Sequence, residues 1–263
     1  MRGRRSIPLL VALLTLAACG SSKSNTTTSN GSTSSSSGKP TLVISAAASL
    51  KKAFTTYGTQ FSAASARFSF AGSDMLAAQI EQGVRPDVFA SANTKLPAML
   101  YGKGLVDKPV VFAANKLVLA VPAGSSKVKS LADVEKPGTV LVVGTPTVPV
   151  GDYTNTVLAR LTPAQHRAVL ASVKDREPDV TAIVGKLSQG AADAGFLYIT
   201  DVKATDGKLK AIDLPASLQP RVAYGVAVIK GAPHPSQAQQ FVAGLVSGAG
   251  RGDLRADGFL PPS

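Results

Sequence analysis

Two kinds of apolar spacing alternate from residue 41 onward. Short runs of consecutive apolar or β-branched residues read as strands at 41–46 (TLVISA), 67–71, 87–91, 116–121, 139–144, 194–199 and 224–229. Between them the period lengthens. Leu50, Phe54, Tyr57 and Phe61 are spaced four, three and four apart, which is one face of a helix. Further helices are expected from Ser73 through Leu76 and Ile80 to a stop at Gly83, and from Pro149 through Val157, Leu158 and Leu161. Two more run from Asp179 to about Gly190 and across 237–245. Strands separated by helices of this length predict an α/β fold built on parallel sheet.

The first 38 residues follow neither period. Arg2, Arg4 and Arg5 form a basic head, and Ile7 to Leu16 form an apolar stretch too short to span a bilayer. Leu16-Ala17-Ala18-Cys19 then places small residues directly before the chain's one Cys. This resembles a bacterial lipobox, so 1–18 is expected to be a lipoprotein signal peptide. Cys19 is then the lipidated residue of the mature N-terminus, holding the protein at a membrane. A plain secretory signal with an incidental Cys is the alternative. Residues 20–38 are almost wholly Ser, Thr, Asn and Gly, with no apolar group to offset backbone ordering, so 19–39 reads as a flexible tether.

Composition narrows the function classes. A chain of 263 residues that is 44% hydrophobic can fill one large core or two lobes. One Cys excludes a disulfide scaffold and a multi-Cys metal centre, and His166 and His234 are too far apart in sequence to suggest a zinc site. No cofactor is expected. The net charge of +12 falls to +9 once the three signal-peptide Arg are gone. The Lys and Arg are scattered and not interleaved with aromatics, so no nucleic-acid partner is expected, and the basic surface at most steers anions.

One feature recurs at the helix starts. Ser49, Ser73, Val150-Gly151 and Asp179-Val180 put small or polar residues at four expected helix N-termini. In open α/β sheets these strand-to-helix corners lie at the carboxyl ends of the strands, where ligands bind. Unpaired N–H groups and the helix dipole make such a corner receptive to an anion, and Ser adds a donor without adding charge. N-capping by Ser49 and Ser73 explains the same residues without a ligand.

The segments that carry a family resemblance are Ala46-Ala47-Ala48-Ser49-Leu50, Phe70-Ala71-Gly72-Ser73 and Pro86-Asp87-Val88-Phe89-Ala90-Ser91-Ala92. Val148-Pro149-Val150-Gly151-Asp152-Tyr153, Asp179-Val180, Gly195-Phe196-Leu197-Tyr198 and Gly258-Phe259 continue the series. In this order and spacing the chain resembles the periplasmic molybdate-binding proteins of molybdate ABC importers over nearly all of 41–263. The resemblance implies a two-lobed, type II periplasmic-binding-protein fold with the ligand in the cleft between lobes. Crossings near Asn115 and Tyr224 make lobe one 40–115 plus 224–263 and lobe two 116–223. It implies that Ser49 and Ser73 donate hydroxyl and backbone N–H, that Val150 and Val180 donate backbone N–H, and that Tyr198 donates its O–H. Tyr198 read alone is more often a core tyrosine with a satisfied hydroxyl. The implied ligand is molybdate or tungstate, and the implied partners are an ABC permease and its cytoplasmic ATPase. A monomer is expected, on the outer face of the cytoplasmic membrane or in the periplasm.

Two positions depart from the family pattern. Asp74 replaces a small neutral residue and is expected to point outward as a first-turn helix acid, since a carboxylate facing a dianion would repel it. Val150 replaces Ala, which can narrow the pocket. The same fold could hold sulfate, phosphate or a small organic anion. A secreted hydrolase needs a nucleophile beside a base, yet neither His lies near a Ser motif, and Ala71-Gly72-Ser73-Asp74-Met75 lacks the closing glycine of a nucleophile elbow. No enzyme is expected. An adhesin reading of Arg251-Gly252-Asp253 is set aside, with the tripeptide placed in a helix-ending turn.

Overall fold

The computed structural model describes residues 38–262; the expected signal peptide 1–18, Cys19 and most of the tether lie outside the described residues. These described residues group in one compact unit. The chain begins with β1 (Thr41–Ala47), a 3-10 turn (Ala48–Leu50), α1 (Lys51–Gln60), β2 (Ser65–Ala71), α2 (Ser73–Glu81), β3 (Val88–Ser91), α3 (Lys95–Gly102) and β4 (Val110–Asn115). After one intervening residue come β5 (Leu117–Pro122), α4 (Leu131–Val134), β6 (Leu141–Gly144), α5 (Pro149–Leu158), α6 (Pro163–Ser172) and β7 (Val173–Glu177). Then follow α7 (Val180–Ser188), β8 (Ala194–Tyr198), α8 (Ile199–Lys203), β9 (Leu209–Asp213), β10 (Val222–Val228), α9 (Pro235–Ser247) and α10 (Ala249–Ala256).

The strands form two five-stranded sheets, ordered β2-β1-β3-β10-β4 and β7-β6-β8-β5-β9. The chain changes sheet between Asn115 and Leu117, and returns between Asp213 and Val222. The sheets are mixed rather than parallel throughout. β10 is antiparallel to β3 and β4, and β5 is antiparallel to β8 and β9. The physical reason is the crossing itself. β4 and β9 end at the carboxyl edge of their own sheets, so the strand entered next starts at that edge of the other sheet and must run away from it.

Each sheet is packed by its own helices. In the first half Leu50, Phe54 and Tyr57 are buried on the face that the four-three-four spacing selects. Phe54 packs edge-on to Phe241 at 5.7 Å, which joins α1 to α9. Each such side chain removed from water stabilises the fold by roughly 1.5–3 kcal/mol. Arg251-Gly252-Asp253 lies inside α10 and not in a turn, because Leu254 is buried there and carries the segment as a helix.

Candidate functional site

All five expected ligand residues line one small cavity between the two halves. Ser49 and Ser73 come from the first sheet's corners, and Val150, Val180 and Tyr198 from the second's; Ala47, Ala48, Ala71, Gly72, Ala92, Val148, Pro149 and Asp179 complete the wall. The cavity measures about 10 Å³, close to the space of one water-sized sphere. No Lys, Arg or His contributes to its lining. A wider groove of about 510 Å³ adjoins it at Ala48, Ser49 and Val180, with Lys51 and Lys52 at its edge.

Local sequence explains each corner. β1 ends in Ala46-Ala47, and Ala48 opens the 3-10 turn that holds Ser49; the small side chains let the backbone turn directly from one into the other. Pro149 opens α5, where the fixed φ of proline suits the first helical position and no N–H is wasted. Asp179 caps α7 by accepting from Ala182 N at 3.0 Å, which leaves Val180 N in the unpaired first turn. Gly151 has no room for a side chain: a Cβ there would collide with the carbonyl of Thr145. Val150 does not simply fill the pocket, since its Cγ1 stands 2.7 Å from where a Cβ on Gly144 would be. Glycine at 144 makes the space for it.

Neither serine is an N-cap. The caps of their helices, Leu50 and Gly72, make no side-chain cap bond. Ser73 Oγ instead accepts from Ala92 N at 3.1 Å, which leaves its own proton free to donate. Ser49 Oγ lies 3.0 Å from Tyr224 Oη. The direction of that bond follows from Asn115. Its Oδ1 accepts from Lys116 N at 2.9 Å, so its amide donates to Tyr224 Oη at 3.3 Å and to Thr200 Oγ1 at 2.9 Å. Tyr224 then donates to Ser49, and the Ser49 proton is released toward the cavity. The relay starts at the residue that ends β4, beside the first crossing.

Tyr198 is buried, and its hydroxyl finds no hydrogen-bond partner among the described residues. A buried phenol without a partner is costly and points to a missing acceptor. Burial pushes the Tyr198 and Tyr224 hydroxyls well above 10, with neighbouring tyrosines and acids adding to the shift, so both stay O–H donors at neutral pH. Asp201 sits beneath this cluster and accepts from Tyr198 N at 3.0 Å. Burial raises its carboxyl to about 7. Asp74 does not line the cavity. Its carboxylate accepts from Met75 N at 2.9 Å and from Thr147 Oγ1, in the other half, at 2.6 Å.

Sequence reasoning missed Tyr224 and Asn115 as site residues, naming them only as crossing points. A Tyr in a strand and an Asn at a strand end carry no local signal of what they touch.

Residues 42–260 match the family of bacterial extracellular solute-binding proteins. The chain belongs to that family. This solute-binding protein is 36% identical to the molybdate-binding protein ModA of Mycobacterium tuberculosis over 225 residues, covering 83% of this chain and 84% of that one. Its structure superposes on the periplasmic molybdate-binding protein of Azotobacter vinelandii with a TM-score of 0.75 and 20% identity, over 84% of this chain and all of that one. The sulfate-binding protein SubI of Mycobacterium tuberculosis gives the same TM-score at 18% identity, over 84% and 87% of the two chains. At those identities the two structures speak for the fold alone. The type II periplasmic-binding-protein fold is therefore the architecture of this solute-binding protein, and its cavity stands at the cleft.

Proposed function

We propose that the protein captures molybdate outside the cytoplasmic membrane and delivers it to an ABC importer, with tungstate as an equivalent ligand. The single observation that carries this is the unpartnered, buried Tyr198 hydroxyl in a cavity walled by Ser49, Ser73, Val150 and Val180. The donors offered there are neutral, three hydroxyls and the N–H groups of helix starts, and the Asp179 carboxylate in the wall is engaged by Ala182 N. Such a site matches an anion that only accepts. A fully deprotonated tetrahedral dianion fits, whereas phosphate near neutral pH carries a proton that needs an acceptor. At about 10 Å³ the cavity leaves no room for organic substituents, and a tetrahedral oxyanion enters it only as the surrounding donors move apart. Molybdate is preferred over sulfate because the 36%-identical relative is a molybdate-binding protein.

The ligand is bound and not converted. With the two sheets as two lobes, the anion draws them together because it touches both only when they are closed. The protein then presents its cargo to a permease driven by a cytoplasmic ATPase. It acts as a monomer held at the membrane through lipid on Cys19, on the outer face of the cytoplasmic membrane or in the periplasm.

A second reading has its own observation. The 510 Å³ groove shares Ala48, Ser49 and Val180 with the cavity, so an oxyanion bearing an organic group could seat its tail there. Isothermal titration calorimetry on residues 38–263 with molybdate, tungstate, sulfate, phosphate and a small organic phosphate separates the readings. Heat with molybdate and tungstate alone is the expected result. Silence with both of those ends the molybdate reading, and heat with the organic phosphate alone supports the second.

A further inference from the structure

Two contacts join the halves at the cleft without reaching the cavity. Asp74, one residue after Ser73, accepts the hydroxyl of Thr147 at 2.6 Å. Lys95 Nζ, at the start of α3, bonds both carboxylate oxygens of Asp152 at 2.9 and 2.7 Å. Asp152 lies in the first turn of α5, two residues after Val150. Both contacts therefore lie beside the helix N-termini that form the anion site. Next to them Gly72 comes so near the other half that a Cβ would stand 2.5 Å from the Pro178 carbonyl oxygen.

Topology gives the first contact its leverage. α2 follows β2, the edge strand of the first sheet, and Thr147 follows β6, which lies next to the edge strand of the second. The chain crosses between sheets through β4–β5 and β9–β10, at the opposite side of both. A rotation about those crossings separates Asp74 from Thr147 by more than it separates residues near Asn115. On such a rotation the Asp74–Thr147 contact breaks before contacts near the crossings do.

We infer that Asp74–Thr147 and Lys95–Asp152 form a clasp between the lobes that sets how long the anion is retained, though none of the four residues touches it. The clasp rests on the proposed function for its anion readout and on the closed geometry alone for its conformational readout. The clasp also accounts for Asp74, one of the two positions that the sequence resemblance marked as departing from the family pattern. Its carboxylate accepts a hydroxyl from across the cleft and is turned away from the dianion.

The test measures release rate and closure together. Molybdate dissociation is followed by stopped flow in wild type, Asp74→Ala, Thr147→Val and Lys95→Met, with Asp74→Asn and Thr147→Ser as variants that keep the hydrogen bond. A pair of spin labels, one on each half, reports the closed fraction with and without anion. Dissociation is expected to quicken roughly fivefold in Asp74→Ala and Thr147→Val, with association unchanged and the closed fraction lowered. Asp74→Asn and Thr147→Ser should stay near wild type. Lys95→Met should quicken release by about two- to fivefold in dilute buffer, an effect lost in about 1 M salt. Unchanged dissociation and closed fraction in Asp74→Ala and Thr147→Val overturn the clasp, as does an equal loss in the conservative variants. If wild type binds none of the tested anions, the proposed function fails separately. The unliganded closed fraction then decides the clasp: lower in Asp74→Ala than in wild type supports it, and equal overturns it.

Discussion

A neutral site for a charged ligand puts the burden on individual donors. A hydrogen bond to a charged group contributes roughly 1.5–3 kcal/mol, so Ser49→Ala, Ser73→Ala and Tyr198→Phe should each weaken molybdate binding about 10- to 150-fold. Calorimetry on the three variants checks this, and unchanged affinity in all three would remove the site assignment. Tyr224→Phe tests the relay from Asn115. It takes away the donor that orients Ser49, and about tenfold weaker binding is expected although Tyr224 does not line the cavity. Asp201 offers a prediction in pH. Burial raises its carboxyl from the usual 3.8 to about 7, so between those values the folded protein holds a proton that the unfolded chain has lost. This contribution to stability is fully present below about pH 4 and declines as pH rises toward 7. Asp201→Asn keeps an acceptor for Tyr198 N. It should flatten the fall in melting temperature between pH 4 and 7 and raise stability at pH 8; an unaltered pH profile would contradict the assignment.

At the scale of elements, four helix or turn starts converge because their strands end on a common side of each sheet. The starts at Pro149 and Asp179 were legible in sequence because proline and capping rules are local, whereas Ser49 and Ser73 marked the other two without capping their helices. The two edge strands of the second sheet were not legible. β7 (VKDRE) and β9 (LKAID) pair on one side only and expose polar residues, so they lack the apolar run that marks a strand. α6 buries little beyond Val169 and Ser172 and is fixed by a capping box between Thr162 and Gln165. The close approach of elements yields a further test. Gly72→Ala would press a methyl group on the Pro178 carbonyl and wedge the halves apart. We expect at least tenfold weaker molybdate binding with the melting temperature of the unliganded protein nearly unchanged. An equal drop in that melting temperature would instead mean that Gly72 is needed for folding.

For the whole molecule, the proposed mechanism makes binding and closure one equilibrium. Molybdate at about 1,000 times its Kd should stabilise the protein by about 4.1 kcal/mol, visible as a raised melting temperature, and should shrink the radius of gyration in solution scattering. A protein that binds without contracting would refute closure. Attachment is separable from capture. Cys19→Ala is expected to move the protein from the membrane fraction to the soluble fraction of cells and leave molybdate affinity unaltered. Retention at the membrane would argue against a lipid anchor.

Sequence alone determined what depends on neighbours along the chain. Period gave the strands and helices of the sheet interiors, Ser, Pro and Asp gave the helix starts, and the ordered motifs gave the family. The tertiary structure decided what depends on residues far apart in number. It reversed β5 and β10, because a strand entered from the cleft must run away from it. It freed Ser73 from capping by supplying Ala92 N, and it aimed the Ser49 proton through Tyr224 and Asn115. It also turned Asp74 toward Thr147. Each of these is a hydrogen bond or a direction set by a partner at least 19 positions away, and no local pattern carries that information.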